Sequence, residues 1–192
     1  DSITYAQKAR FFLRMVQKRP EETRPQPPLE EPHTVPYDGG FYSSPVVWGS
    51  NKAGINDDSV RYFPSYATAT ADGLLALLSA GVPPNDQRVL DALLWLKKHD
   101  DLSQPGGIPT NNPAQWNLVL RLYHLSSRAD VYRALALPAT EMMPALEVLQ
   151  QFQQSDGSYS NPMGAGNKED DPLLATVLAI NVLHLLTTSK TH

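Results

Sequence analysis

Cysteine is absent from the chain. Disulfides, thiolate metal sites, cysteine nucleophiles and thioesters are excluded together. The compartment stays open, since an exported protein can also lack cysteine. A basic excess is missing too: 16 Lys and Arg stand against 20 Asp and Glu, a formal charge of −4. No basic stripe can displace counterions from phosphates, which argues against a nucleic-acid partner. No apolar run approaches the roughly 18 residues that span a bilayer, so a soluble chain without a membrane span is expected. There is no positively charged start followed by a short apolar block, hence no secretory signal within the sequence. The chain opens at Asp1 and turns helical almost at once, which fits a removed leader, and export, or a trimmed domain boundary. No segment alternates convincingly as a strand, so the expected class is all-α.

What is present is apolar content and proline. With 192 residues, 41% of them hydrophobic, one core or at most two small ones can be buried. The 17 prolines gather in loops and at helix starts, where a missing N–H costs little.

Along the chain, Ile3 to Lys18 is predicted to be a helix, with Tyr5, Ala9, Phe12, Leu13 and Val16 at three- and four-residue spacings. A proline- and glutamate-rich loop, 19–37, reads as an extended surface excursion. Asp38-Gly39-Gly40-Phe41 is a tight turn. A long loop with Trp48, Asp57 and Asp58 leads to Pro64, the expected first-turn residue of a helix over Ser65 to Ala80 that Gly81 ends as a left-handed cap. Asn85 to His99 forms the next helix, its apolar face made of Val89, Leu90, Leu93, Leu94 and Leu96. Pro105-Gly106-Gly107 repeats the glycine turn, and Asn112-Pro113 opens a helix over Ala114 to Ser126, with a short further helix over Arg128 to Leu137. Ala139 to Gln154 follows, its regular part starting near Pro144, and Asp171 caps a last helix over Leu173 to Thr187.

The organising feature is repetition. Anchored on Pro64 and Pro172 (172 − 64 = 108), Ala67-Thr68 falls on Ala175-Thr176, Ala71 on Ala179, and Leu77-Leu78 on Leu185-Leu186. The result is a single domain over 1–192 of three helical pairs, about 3–81, 84–127 and 139–188, each a helix, a glycine turn, a loop and a second, more apolar helix. The second helices are expected to line a core and the first to face water.

In this setting Leu149-Gln150-Gln151-Phe152-Gln153-Gln154-Ser155-Asp156-Gly157-Ser158-Tyr159 resembles the glutamine-tryptophan motif of the squalene-cyclase/prenyltransferase repeat, with Tyr159 in place of tryptophan. Phe41 takes that position in the first repeat, separated from Gln17 by the long insertion, and the second keeps only Gly106-Gly107. The resemblance, to the α/α-toroid superfamily of terpene cyclases and protein prenyltransferase β-subunits, implies a toroid-like array of helical hairpins. The departures bear on activity. No Asp-x-Asp-Asp or Asp-Cys-Thr-Ala-Glu acid motif occurs, the usual Asp-Cys-His zinc site cannot be built, and the Cys-Gly-Glu-Gln thioester element is missing. Three helical pairs make half of such a toroid, which implies a homo-oligomer or a partner chain that completes it, and exposed apolar surface on the inner helices.

Each candidate site has two readings. The carboxylates Asp57-Asp58 and Glu169-Asp170-Asp171 precede inner helices; they can share a proton or hold a cation, or they can cap those helices. Asp72, inside an apolar helix, is the catalytic candidate if a cavity surrounds it, and otherwise a hydrogen-bonded polar residue. Tyr66, Trp116 and Tyr123 either line such a cavity or belong to the core. Trp48 with Asp57 and Asp58 is a candidate carbohydrate surface. His124 and His184 lie in no metal or catalytic motif and read as core or groove histidines. The expected function is therefore a non-catalytic or auxiliary repeat domain acting in binding or assembly, with Trp48, Tyr66, Asp170 and Asp171 on its binding surface and no cofactor or metal. The alternatives are a divergent cyclase-like or prenyltransferase-like enzyme acting on a polyprenyl substrate through Asp72, Asp57 or Asp58, and a carbohydrate-active or carbohydrate-binding α/α domain.

Overall fold

The computed structural model describes residues 2–19, 37–56 and 62–188. Nearly all of the proline-rich loop, and the pair Asp57-Asp58, lie outside the described residues. Every regular element among the described residues is helical: α1 (Ser2–Val16), α2 (Ala67–Ser79), α3 (Gln87–Lys98), α4 (Trp116–Val119), α5 (Arg121–Ala134), α6 (Ala145–Gln150) and α7 (Pro172–Thr188), with 3-10 turns at Trp48–Ser50, Ala139–Met142 and Gly164–Asn167. No helix is long and apolar enough to cross a membrane, among the described residues. The chain divides into two compact units, residues 1–100 with 107–112, and residues 101–106 with 113–192.

In the first unit α2 packs against α3 and α1. Helix α2 starts two residues later than Pro64 predicts, with Tyr66 in extended backbone as N-cap. Its end follows the glycine signal: Gly81 sits at φ +78°, Gly81 N donates to Leu78 O at 2.9 Å and Val82 N to Leu77 O at 3.0 Å. That pattern satisfies carbonyls which the helix leaves open. Arg10 of α1 adds its guanidinium, donating to Ala80 O at 2.8 and 2.6 Å. Only the far half of α1 packs; Leu13 and Val16 are buried, whereas Tyr5 is exposed. Helix α3 starts two residues later than the expected Asn85, capped by Asp86, whose Oδ1 accepts from Arg88 N at 2.9 Å. The buried face of α3 is Val89, Ala92, Trp95 and Leu96, with Leu90 and Leu94 exposed. The expected leucine face is thus displaced by Trp95, whose indole N–H donates to Asp38 Oδ2 at 3.0 Å.

In the second unit α7 packs chiefly on α5, with support from α6 and the turn Ala139–Met142. The core joins Leu122, Leu125 and Ala129 to Met142, Leu149 and Phe152 and to Ala175, Ala179 and Val182. Asp171 caps α7 as the sequence indicates, accepting from Leu173 N at 2.8 Å and Leu174 N at 3.2 Å. Asn112 and Pro113 start no helix. Gln115, in the left-handed region at φ 52°, caps the four-residue α4, and the chain turns at Leu120 into α5. The short helix expected over Arg128 to Leu137 is not separate: its residues up to Ala134 are the second half of α5.

The glutamine and aromatic positions of the repeat meet in both units. Gln17 forms an isolated antiparallel bridge with Phe41, and Gln153 with Tyr159. Phe41 N donates to Thr70 Oγ1 at 3.0 Å, and Tyr159 N to Thr176 Oγ1 at 2.9 Å. Gly73 lets the Phe41 ring lie against α2, since a Cβ there would stand 2.5 Å from the ring.

Helix α5 ends in the same hydrogen-bond pattern as α2, but with Ala136 at φ 51° where glycine is favoured. An alanine methyl in that region costs roughly 1–2 kcal/mol, and the site is exposed. Ala136→Gly is expected to stabilise the protein by about 0.5–1 kcal/mol after the entropy of the unfolded glycine is counted, read as a raised denaturant midpoint.

Candidate functional site

One concave surface of the first unit is a cleft of about 200 Å³ between α1, α2 and the turn after Gly40. Helix α2 contributes Ala69, Asp72, Gly73 and Ala76, one face at helical spacing; α1 contributes Phe12, Leu13 and Val16; the turn contributes Phe41, Tyr42 and Ser43. The walls are mainly apolar, with Phe12, Phe41 and Tyr42 the aromatic residues, and Asp72 is the charged residue among those lining it. Asp72 is exposed, so its carboxylate sits at the solvent side of the cleft rather than in a closed cavity. The sequence marks Asp72 because a carboxylate interrupts an apolar helix. Its cleft partners come from the turn and from α1, where the spacing picks out Phe12, Leu13 and Val16 but also the exposed Tyr5.

The other residues singled out by sequence have structural positions. Tyr66 is 2% exposed and is not part of the cleft wall. Its hydroxyl bonds the Ser43 hydroxyl and donates to Ser50 O at 3.3 Å, and burial pushes its pKa up. Trp48 is 48% exposed and stands edge-on to Phe63, ring centroids 6.0 Å apart. Trp116 lies within 3.5 Å of the position a Cβ on Gly166 would take. Asp170 is exposed and its backbone carbonyl accepts from Ser160 Oγ at 3.1 Å. His184 is exposed on α7, not in a core or groove. No cluster of three or more metal-ligating side chains occurs among the described residues.

Three polar groups, of which Lys18 and Glu169 are buried, have partners set by the fold rather than by neighbouring sequence. Lys18 is 1% exposed, donates to Phe63 O at 3.2 Å and lies 4.3 Å from the centre of the Tyr62 ring. Burial lowers its pKa to about 8, against the opposing pull of Asp38. Asp38 anchors the first turn, accepting from Gly40 N at 3.1 Å, Ser65 Oγ at 2.8 Å and Trp95. Glu169 is fully buried; its carboxylate accepts from Leu122 N at 3.0 Å, Tyr123 N at 2.8 Å and Asn161 Nδ2 at 2.9 Å. It therefore caps α5 from a distant loop, and burial raises its pKa. The signal for it in the sequence is the three-carboxylate run, in which Asp171 alone reads as a local cap.

His124 is equally structural. It is 1% exposed, and its Nε2–H donates to the Asp101 carbonyl at 2.9 Å, which fixes that tautomer. Burial first, and the nearby Arg128 second, lower its pKa to about 3, so the folded protein holds it neutral.

Comparison of the chain with protein-family models, with curated proteins and with solved structures finds no match.

The two buried groups of the second unit act oppositely on stability. The unfolded chain protonates His124 near its ordinary 6.5 and the folded chain does not, so stability falls as pH drops from 6.5 towards 3. Glu169, with its folded pKa raised above 4.5, contributes the opposite slope, its gain made as pH falls towards 4.5 and complete below that. His124→Gln is expected to flatten the loss between pH 6.5 and 5, and Glu169→Gln to steepen the loss just above pH 4.5, in denaturant midpoints measured across pH.

Proposed function

We propose that this chain is a non-catalytic repeat domain of the terpene-cyclase/prenyltransferase-like kind, a toroid-like array of helical hairpins that acts in binding and assembly. The observation that carries it is a division of labour. Buried titratable groups that could do chemistry, Glu169 and His124, are held in bonds to backbone, while the open cleft of the first unit is walled by Phe12, Phe41 and Tyr42. Such a surface takes an apolar ligand. An apolar cavity of about 150 Å³ accepts a benzene ring, so a cleft of this size suits one ring or a short isoprenoid segment. The paired turn-aromatic and threonine contacts support the hairpin-repeat reading, since the same device recurs after both Asp-Gly turns.

A second reading, a divergent enzyme acting on a polyprenyl substrate, is favoured by one feature, the position of Asp72 on the cleft wall. A carboxylate there faces an apolar ligand and could donate or accept a proton. One titration separates the two. Geraniol and benzyl alcohol are expected to bind saturably to the whole chain, by calorimetry or NMR shifts, and Ala76→Leu, which fills the cleft, to weaken binding about tenfold, the effect of ~1.4 kcal/mol. Equal binding by wild type and Ala76→Leu overturns the cleft as the site. Turnover of a prenyl substrate that is lost in Asp72→Asn overturns the non-catalytic reading.

A further inference from the structure

The cleft of the first unit changes character with depth. Leu13, Val16, Phe41 and Tyr42 are buried and make its floor, whereas Phe12, Ser43 and Asp72 are exposed and make its rim. The polar groups of the turn are committed within the unit. Tyr42 donates its hydroxyl to Met15 O at 2.9 Å, and the Phe41 N–H goes to Thr70 Oγ1. The Ser43 hydroxyl is bonded to that of Tyr66, and its N–H donates to Asn51 Oδ1 at 2.9 Å. A ligand therefore meets an apolar floor and, at the rim, a carboxylate.

Helix α2 sets the two side by side. Ala69, Asp72, Gly73 and Ala76 fall three and four residues apart on one face, so the carboxylate stands beside the small residues that leave the space. Charge then decides what kind of apolar ligand enters. Among the described residues that line the cleft, Asp72 carries the single formal charge and no base is present. An apolar acid brings a second negative charge to the rim and is repelled. A neutral alcohol gains only the floor. An ammonium gains the floor, the attraction of the carboxylate and the electron-rich face of Phe12.

We infer that the cleft takes a small organic ammonium, an apolar group of about benzyl size with its cationic nitrogen at the rim between Asp72 and Phe12. The inference names the ligand class of the cleft and rests on the cleft being a binding site, as proposed above.

Both added contacts lie at an exposed rim, which keeps them modest. Together they are expected to favour the ammonium over an uncharged ligand of the same shape by about five- to tenfold. Salt screens such a contact, since the Debye length falls from about 30 Å at 0.01 M to about 3 Å at 1 M.

The test uses three ligands of closely similar shape, benzylammonium, benzyl alcohol and benzoate, titrated into the whole chain at neutral pH and followed by NMR shifts. In low salt the expected order of affinity is ammonium, alcohol, benzoate, with the lead of the ammonium lost near 1 M salt. That salt comparison needs no variant. Asp72→Asn, at a solvent-exposed site, is expected to level the ammonium with the alcohol. Alcohol or benzoate binding as well as the ammonium in low salt overturns the inference and leaves the cleft standing as a site. A lead that survives both high salt and Asp72→Asn overturns it equally. No binding by any of the three overturns the cleft itself, and the inference with it.

Discussion

The structure hangs on how an aromatic residue is fixed at the exit of each Asp-Gly turn. Burying Phe41 or Tyr159 supplies apolar area, but the backbone N–H beside the ring lies outside any helix and goes into the interior with it. An unpaired buried N–H costs roughly 1–3 kcal/mol. In both units a threonine hydroxyl of the following apolar helix accepts from it, Thr70 for Phe41 and Thr176 for Tyr159. Thr70 is satisfied in turn by donating to Tyr66 O at 2.9 Å. One polar contact thus locks the turn to the helix, and the ring closes over it.

That contact also sharpens the repeat. Burial follows an offset of 108, since Ala67, Ala71, Leu74 and Leu77 match Ala175, Ala179, Val182 and Leu185, all buried. The threonine bond follows an offset of 106 (176 − 70). Two residues are about 200° around a helix, so the hydrogen-bonding threonine has moved to another side while the packed face has kept its place. The first unit tolerates this because every residue of α2 from Ala67 to Ala71 is buried, leaving no outward side in that stretch.

What was legible in the sequence was local. Asp171-Pro172 starts α7, and Gly81 ends α2, because cap and helix lie within a few residues of each other. What was not legible depended on partners far along the chain. The break between α4 and α5 contains neither proline nor glycine, and α5 begins where it does with Glu169, 47 residues from Leu122, holding its first free N–H groups. Leu90 and Leu94 read as core, yet Trp95 is the buried residue because Asp38, 57 residues away, takes its N–H. For the candidate site, Asp72 stood out as a polar break in an apolar helix. The cleft in front of it did not, because the fold brings Phe41, Tyr42 and Ser43 of a distant turn beside the α1 residues.

The same nonlocal logic separates two helices that look alike in sequence. Both α2 and α7 are alanine- and leucine-rich, and the matching faces Ala69-Asp72-Ala76 and Val177-Ile180-His184 differ in size and polarity. Small residues on α2 let α1 approach and leave a cleft, and an aspartate keeps its outer edge wet. On α7 the corresponding residues are larger, and all three are exposed. A protein surface can carry single exposed apolar side chains without consequence, but Leu173, Val177 and Ile180, three in register along one helix, form a linear patch that water solvates poorly.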